Sequence, residues 1–579
     1  MTTHTITRRW LAAVSPARPP EGAQPPLGGE ARSARGALLS AALALLLAAC
    51  GGGGGIGSGG TGAAAMGTVD GFGSIFIGGE RCDDLGAHIT FDSVASGFEP
   101  TTGEVKLGQR IEADLDGNST ACKILAARIA PEVVGVVSSL APLTVAGAQI
   151  LVNTDPTVGP VTVFDGYDSA ADILLGDRVE VHGKAVPIAG GVAIRASRIE
   201  RKPASDVWVR AAGVVANLDS NALSFTLGAL TVHYSANTTL LPSNVTLANG
   251  LTVAVWSRSA VSANAVNADF IRVLRRSFPN QSAVRVEGPI SGCNGSSPCT
   301  QFTVDGVAVV INGSTTFTHG SPSDIVDGRT VHVRGTFDTA NNQLIATAVA
   351  VRLRDPNAGL VTLLGSVSEF ATDGTNNFFR VRGVPVTTDG STMFNCTITD
   401  DKIVAVAGHI SGSAVLATRI DCPALAVGTV VDAYGSITSL DAANRTFKLA
   451  GRPLLSLATL RWDDNTVFGN GASATNLADG QYVVVRGVYQ GNGVFLLTRV
   501  VLDDTPPTAP GGGLVFGTFG VVHNLSAGGL VVGRIPLAIV AGSDIRAGVA
   551  DGVVVRAWFY RDVANSRWVA LLVRPAPLF

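Results

Sequence analysis

The chain has 579 residues, too many for one hydrophobic core, so several domains are expected. Hydrophobic residues make up 46% and charged residues 15%, a balance that excludes wholesale disorder. A formal net charge of −3 leaves no global electrostatic footprint for nucleic acid, and no nucleic-acid partner is expected.

Residues 1–49 read as an N-terminal extension followed by an export signal. Arg32 and Arg35 precede a 14-residue apolar run from Gly36 to Ala49. At ~1.5 Å rise per residue the run spans about 21 Å, short of a ~30 Å hydrocarbon core, so it fits a signal h-region rather than a membrane span. Residues 1–31 do not fit a compact signal: Arg8-Arg9-Trp10-Leu11 is faintly like a twin-arginine motif, and a start site assigned too far upstream explains the segment equally well. The run ends Leu47-Ala48-Ala49-Cys50, which resembles the lipobox of bacterial lipoproteins. That resemblance implies a diacylated Cys50 thiol at the mature N-terminus and attachment to the membrane; an ordinary buried cysteine after a core helix is the alternative. The Gly-rich stretch 50–63 reads as a tether, and Gly51, where an aspartate would mark inner-membrane retention, points to the outer membrane.

From residue 64 onward the chain repeats. Gly-x-(Val/Ile) opens each copy, at Gly67, Gly135, Gly213, Gly288, Gly365, Gly435 and Gly520, with a period of 68 to 85 residues. Alternating runs such as Leu143-x-Val145-x-Gly147, Phe302-x-Val304-x-Gly306, Phe379-x-Val381-x-Gly383 and Phe447-x-Leu449-x-Gly451 predict a strand entering a tight hairpin. A further strand motif, Leu175-Gly176-Asp177-Arg178-Val179-Glu180-Val181-His182-Gly183, recurs in edited form in every copy, usually closed by a small residue. A last strand places a small or apolar residue three before Ile or Val, as in Ala196 with Ile199.

These elements give repeats at 64–132, 133–205, 206–281, 282–358, 359–426, 427–509 and 510–579, the last including a short Pro/Gly-rich spacer. Five strand candidates and no useful amphipathic helix per repeat predict an all-β chain of about seven small five-stranded antiparallel barrels of the OB type; repeated β-sandwiches are the alternative. Gly71-Phe72-Gly73-Ser74-Ile75-Phe76-Ile77-x-Gly79, combined with the Leu-Gly-x-x-Val-x-Val-x-Gly strand, resembles the tandem domain-of-unknown-function repeats of bacterial lipoproteins. The resemblance covers nearly all of 64–579, is strongest in the first two repeats and weakest in the fifth and seventh. It implies OB-like barrels and an envelope location, and it transfers no catalytic residue.

Of seven cysteines, Cys50 is assigned to lipid. The other six fall in pairs within single repeats: Cys82 and Cys122, Cys293 and Cys299, Cys396 and Cys422. Local pairing is the natural one, and it suits an oxidising compartment; the absence of C-x-x-C spacing argues against metal.

Chemistry shared by every barrel should keep its residue in every copy. The outward positions of the recurring strand hold Glu112/Asp114, Glu180/His182, Ala254/Trp256, His332/Arg334, Ala405/Ala407, Val484/Arg486 and Arg556/Trp558, and no chemical type survives. His182 and His332 therefore read as solvated strand-face residues. H-E-x-x-H, G-x-S-x-G and a P-loop are absent. The acidic pairs Asp83-Asp84, Asp400-Asp401, Asp463-Asp464 and Asp503-Asp504 read as turn caps rather than calcium ligands. Arg128, Arg198, Arg419 and Arg499, each before the last-strand Ile or Val, read as a solvated outer face, with an anion- or lipopolysaccharide-facing stripe as the sharper option. Trp256, Trp462, Trp558 and Trp568 leave room for a glycan platform. The expectation is a non-enzymatic, lipid-anchored envelope protein, an array for structure or interaction with envelope proteins or glycans. Glycan binding is the alternative, and no catalytic residue, metal or cofactor is assigned.

Overall fold

In the computed structural model, residues 63–92 and 104–576 are described, except 118, 120, 244, 275–277, 279–282 and 451–457. The N-terminal extension, the signal run, Cys50 and the tether to residue 62 lie outside the described residues. The second repeat shows the common plan. Its strands are Val133–Leu140, Leu143–Val145, Ala148–Val152, Arg178–Ile188 and Gly191–Arg201. The first three form consecutive hairpins, the fourth pairs antiparallel with both the first and the fifth, and the third closes onto the fifth in parallel. The circuit 1-2-3-5-4-1 is that of a closed OB-type barrel, antiparallel everywhere except at the closure. A short segment before the fourth strand, here Val163–Asp165, adds a parallel rung to the fifth.

Among the described residues, seven such barrels follow one another, at 63–129, 133–201, 209–273, 283–351, 360–421, 430–502 and 515–575. In barrel 3 the fifth strand is broken into Ala265–Asn267 and Phe270–Val273. The recurring motif is the fourth strand. Its apolar pairs, from Ile111/Ala113 through Val179/Val181 to Val555/Ala557, are buried in all seven barrels, each larger member contributing roughly 1.5–3 kcal/mol.

The glycine that ends this motif does not end the strand. At Gly183, Gly335, Gly408 and Gly487 the fourth strand bulges and continues. A Cβ at Gly183 or Gly335 would lie 2.2 Å from the carbonyl oxygen of Arg195 or Ile345 on the fifth strand, and one at Gly408 would lie 2.3 Å from that of Leu416. The glycine is needed because two backbones cross closely there.

All three cysteine pairs are bonded within their barrels. Cys82–Cys122 lies where barrel 1 closes through a single bridge, Asp83 with Lys123, instead of a ladder. The cross-link replaces the missing rungs.

The barrels are not strung as beads. The opening strand of barrel 1, Ala63–Phe72, pairs in parallel with the opening strands of barrel 4 (Ala64 with Val284, Met66 with Val286) and barrel 5 (Gly71 with Thr362, Phe72 with Leu363). Barrels 1, 4 and 5 thus share one 18-stranded sheet, barrels 2 and 3 share a 13-stranded one, and barrels 6 and 7 have six strands each. The cores of barrels 1 and 5 merge into one apolar cluster. The expected spacer before barrel 7 is pinned by its flank, since Asp503 and Asp504 both pair with Arg574 of that barrel.

Candidate functional site

The turn between the second and third strands is the tip by which one barrel reaches another. In barrels 1, 2, 4 and 5 it takes two residues in left-handed conformation, as in Asp305-Gly306 (φ 49° and 75°) and Arg382-Gly383 (φ 52° and 76°), which suits the twist of a tight hairpin. The alternating run ending in glycine at 147, 306 and 383 is therefore correctly read as a hairpin entry; Gly451 lies outside the described residues. The tip residue varies, and so does its target. Asp305 of barrel 4 accepts from Arg110 of barrel 1 at 3.2 Å and from Lys184 of barrel 2. Arg382 of barrel 5 stacks over Phe72 of barrel 1, with its guanidinium carbon 4.5 Å from the ring centre. Arg534 of barrel 7 donates to Ser411 Oγ of barrel 5 at 3.0 Å.

Buried ion clusters reinforce these contacts. Asp92 gathers Arg128, Arg210 at 3.3 Å and Arg272 at 3.0 Å, tying barrel 1 to barrel 3. Burial pushes its pKa up, but the charges of Arg210 and Arg128 outweigh burial and hold it below the ordinary carboxylate value. Arg210 and Arg272 also lie over the ring of Trp256, at 5.1 and 5.2 Å. Arg556, 1% exposed, joins Glu369 of barrel 5 at 2.9 Å to Asp503 at 3.1 Å while lying 3.9 Å from the ring centre of Trp558.

Two sizeable open spaces lie between barrels among the described residues. The first, about 640 Å³, lies between barrels 1, 4 and 5, with Pro160 and Val161 of barrel 2 at its edge, and holds Asp70, His332 and Arg352 in its wall. Glu287, buried beside it, accepts from the Thr68 backbone N–H at 3.1 Å and lies 3.4 Å from Arg352 and 3.8 Å from His332. Burial, reinforced by the Glu287 charge, pushes the Asp70 carboxyl up to about 7, against the opposing Arg352 charge and the Gly79 N–H that Oδ2 accepts from at 2.6 Å. Burial pulls the His332 imidazole below its ordinary value, with Glu287 opposing. Two carboxyl groups, an imidazole and a guanidinium converge here, a composition able to hold or move a proton. Among the described residues, no group of three or more His, Cys, Asp or Glu is placed to hold a metal ion.

The second space, about 380 Å³, lies where barrels 1, 2, 5, 6 and 7 meet. Phe72, Val105, Leu107 and the strand from Val384 to Val386 supply apolar wall, and arginines from four barrels supply charge. Arg486 pairs with Asp432 at 2.5 Å and Glu104 at 2.8 Å; Arg380 pairs with Glu369 at 3.0 Å.

Several residues lie elsewhere than the sequence predicts. His182 is not on a solvated face: its ring is fully buried, facing the Arg110 backbone N–H at 3.4 Å and the Glu180 carboxylate at 3.0 Å. His332 is likewise turned toward Glu287 rather than solvent. Of the four last-strand arginines, only Arg419 faces solvent, paired with Asp421 at 2.8 Å. Arg198 is buried between Asp165 and Glu200, Arg128 is held by Asp92, and Arg499 lies beside Glu104. Trp256, Trp462, Trp558 and Trp568 are all buried, so none of them forms a surface platform for glycans. Trp462 and Trp568 belong to the cores of their own barrels, and for the other buried residues the cause is shared. Strand alternation tells which residues leave their own barrel, and here the outside of one barrel is another barrel. A signal was present: Val253-Ala254-Val255-Trp256 and Val555-Arg556-Ala557-Trp558-Phe559 carry bulk on both faces, as a strand covered on both sides does. Of the acidic pairs read as turn caps, Asp400 accepts from the Phe370 N–H at 3.0 Å and Asp463 from the Asn465 N–H at 2.9 Å, whereas Asp503 and Asp504 are instead ion-paired to arginines of barrel 7.

Residues 134–200, 287–350, 365–421 and 434–500 match a domain of unknown function, DUF5666. The chain carries four tandem copies of DUF5666. They are barrels 2, 4, 5 and 6, the four whose fourth strand has the bulge glycine; the corresponding residues are Leu115, Ser257 and Phe559 in barrels 1, 3 and 7. Of the two repeats expected to resemble the family most, the second matches and the first does not; of the two expected to resemble it least, the fifth matches and the seventh does not. No curated protein matches the chain. Among solved structures, the CSD456 segment of Drosophila Unr is 13% identical over 37% of this chain and 97% of its own, with a TM-score of 0.10. A multidomain protein with nucleic acid binding domains from Streptococcus pneumoniae TIGR4 is 11% identical over 38% of this chain and 73% of its own, with a TM-score of 0.11. Neither overlap is close enough to speak of what this chain binds. No helix among the described residues is long and apolar enough to cross a membrane.

Proposed function

We propose that this structural repeat protein is a lipid-anchored, non-enzymatic scaffold of the cell envelope, presenting the loops between its barrels to protein partners. The observation that carries this reading is the use of the polar strand faces. His182, Arg198, Arg210 and Arg556 are engaged in holding barrel to barrel, which leaves recognition to the variable loops. Three intra-barrel disulfides support an oxidising compartment, and Leu47-Ala48-Ala49-Cys50 supports attachment through an acylated thiol, with the outer membrane as the destination we favour. Nucleic acid is not the partner we propose, because the formal charge of −3 supplies no basic groove. Fractionating cells that express the chain with and without Cys50→Ala, fed a labelled fatty acid, tests the anchor. Label and membrane association should both be lost in the variant; an unlabelled wild-type chain, or a variant that stays membrane-bound, would refute it.

A further inference from the structure

We propose that the space where barrels 1, 2, 5, 6 and 7 meet is a binding site for a small organic anion, an acidic head group on an apolar body, with Arg382 as its primary contact. This adds a ligand to the scaffold reading and does not depend on the membrane anchor.

Arg382 is placed for that role by its turn. The hairpin tip carries it out of barrel 5, and its guanidinium carbon sits 4.5 Å over the Phe72 ring centre, a cation–π contact that uses the face of the group and none of its N–H donors. No described residue accepts a hydrogen bond from those donors, and the Arg382 nitrogens are not among the buried unsatisfied atoms, so they open on the cavity they line. The neighbouring acids are already committed. Asp432 and Glu104 hold Arg486, and Glu369 is divided between Arg380 and Arg556. Asp84 attracts Arg382 without forming an ion pair, and its own carboxyl is pushed up by burial, which weakens it as a counter-charge. Burial accordingly pulls the Arg382 pKa below the ordinary value, the mark of a desolvated cation short of a partner.

The comparison with Asp305 decides how to read this. At the same turn of barrel 4, the tip charge is matched by Arg110 and Lys184. An unmatched, desolvated charge is costly, and Arg382 lacks the counter-ions that the fold supplies at the barrel 4 tip. The cavity wall carries nine Lys or Arg side chains against seven Asp or Glu, an excess of positive charge in a chain whose net charge is negative. Its volume of about 380 Å³ falls within the range of small-molecule pockets, and its wall beside Arg382 is apolar at Phe72, Val384, Pro385 and Val386.

The test uses the full chain carrying Cys50→Ser, which removes only the acyl attachment, and the fluorescent aryl sulfonate 8-anilinonaphthalene-1-sulfonate. One saturable site per chain is expected, weakened at least tenfold by Arg382→Gln and partly restored by Arg382→Lys, with melting temperatures confirming that both variants fold. Displacement by benzoate or by phenyl phosphate then ranks the head groups. Should Arg382→Gln fail to fold, phenylglyoxal labelling of Arg382 in the otherwise unmutated chain gives the same answer, since bound dye should protect that residue. Absence of a saturable site, an affinity unchanged in Arg382→Gln, or labelling unaffected by the dye would overturn the proposal.

Discussion

Asp305 and Arg110 stand 195 residues apart in the chain and meet through two hydrogen bonds of 3.2 and 3.3 Å, the hairpin tip of barrel 4 reaching the fourth strand of barrel 1. Lys184 of barrel 2 shares the same carboxylate, so one residue fixes three barrels. Asp305→Ala would leave two nearly buried cations without it. Removing one partner of a buried ion cluster costs about 3–5 kcal/mol, and the urea midpoint should fall accordingly. A change below about 1 kcal/mol would mean that water already screens the cluster. Arg110 keeps Glu112 at 2.9 Å and Glu132 at 3.4 Å, so adding Arg110→Met to Asp305→Ala should deepen the loss rather than relieve it.

The bulge glycines give a graded test. Gly183→Ala and Gly335→Ala each drive a methyl group to 2.2 Å from a backbone carbonyl that has nowhere to go. A loss above about 2 kcal/mol is expected for each in denaturant titration. Gly487→Ala meets a flexible Leu497 side chain at 3.1 Å and a carbonyl at 3.3 Å, and should lose about 1 kcal/mol or less. Equal losses at the three positions would show that the backbone crossing is not what the glycine serves.

The disulfides should matter in the order of the loops they close. Their sequence separations are 40, 26 and 6 residues for Cys82–Cys122, Cys396–Cys422 and Cys293–Cys299. Chain-entropy reasoning gives about 4 kcal/mol for the longest loop and about 2.5 for the shortest. Calorimetric melting of the three paired Cys→Ala variants should rank them in that order, with Cys82/Cys122 the most damaging because that barrel lacks a closing ladder.

Asp70 predicts an unusual response to pH. Its folded pKa of about 7 lies above the unfolded value of 3.8, so between those limits the folded state binds the extra proton. Stability from this group therefore rises as pH falls from about 7 toward 4, and is lost on going above 7. The groups facing it act in concert: Arg352 limits the shift, while Glu287, held below its ordinary value against the raising effect of burial, contributes stability that is present above pH 4.5 and lost on deeper acidification. His332, pulled below its ordinary value by burial, loses stability as pH falls over the same range, so from pH 8 to pH 5 the melting temperature should hold up better in the wild-type chain than in Asp70→Asn. Identical profiles would exclude Asp70 as the titrating group.

What the sequence displays is whatever one barrel needs for itself. Val179 and Val181, alternating and repeated, identify a core wall, and Gly306 and Gly383 mark hairpin tips, because these features follow from local backbone geometry. Gly183 is misread as a strand end, since a bulge and a terminus leave the same letter. Which barrel meets which is not legible, because a tip residue such as Asp305 or Arg382 names a charge and no address. Arg382 carries no mark of its own for that reason: at a hairpin turn, an arginine resembles any solvated side chain until the fold brings Phe72 beneath it.

The opening strand of barrel 1 is hydrogen-bonded to barrels 4 and 5 at once. In a solenoid, where each repeat touches only its neighbours, duplication or deletion of a unit leaves the remaining contacts intact. Here, excising barrel 3 would force barrel 4 to reach its partner strand by a different path, and duplicating it would displace barrel 5 from Phe72. Copy number is thereby frozen by geometry. Such a chain can diversify by rewriting its loops and tips, and it cannot lengthen or shorten one repeat at a time.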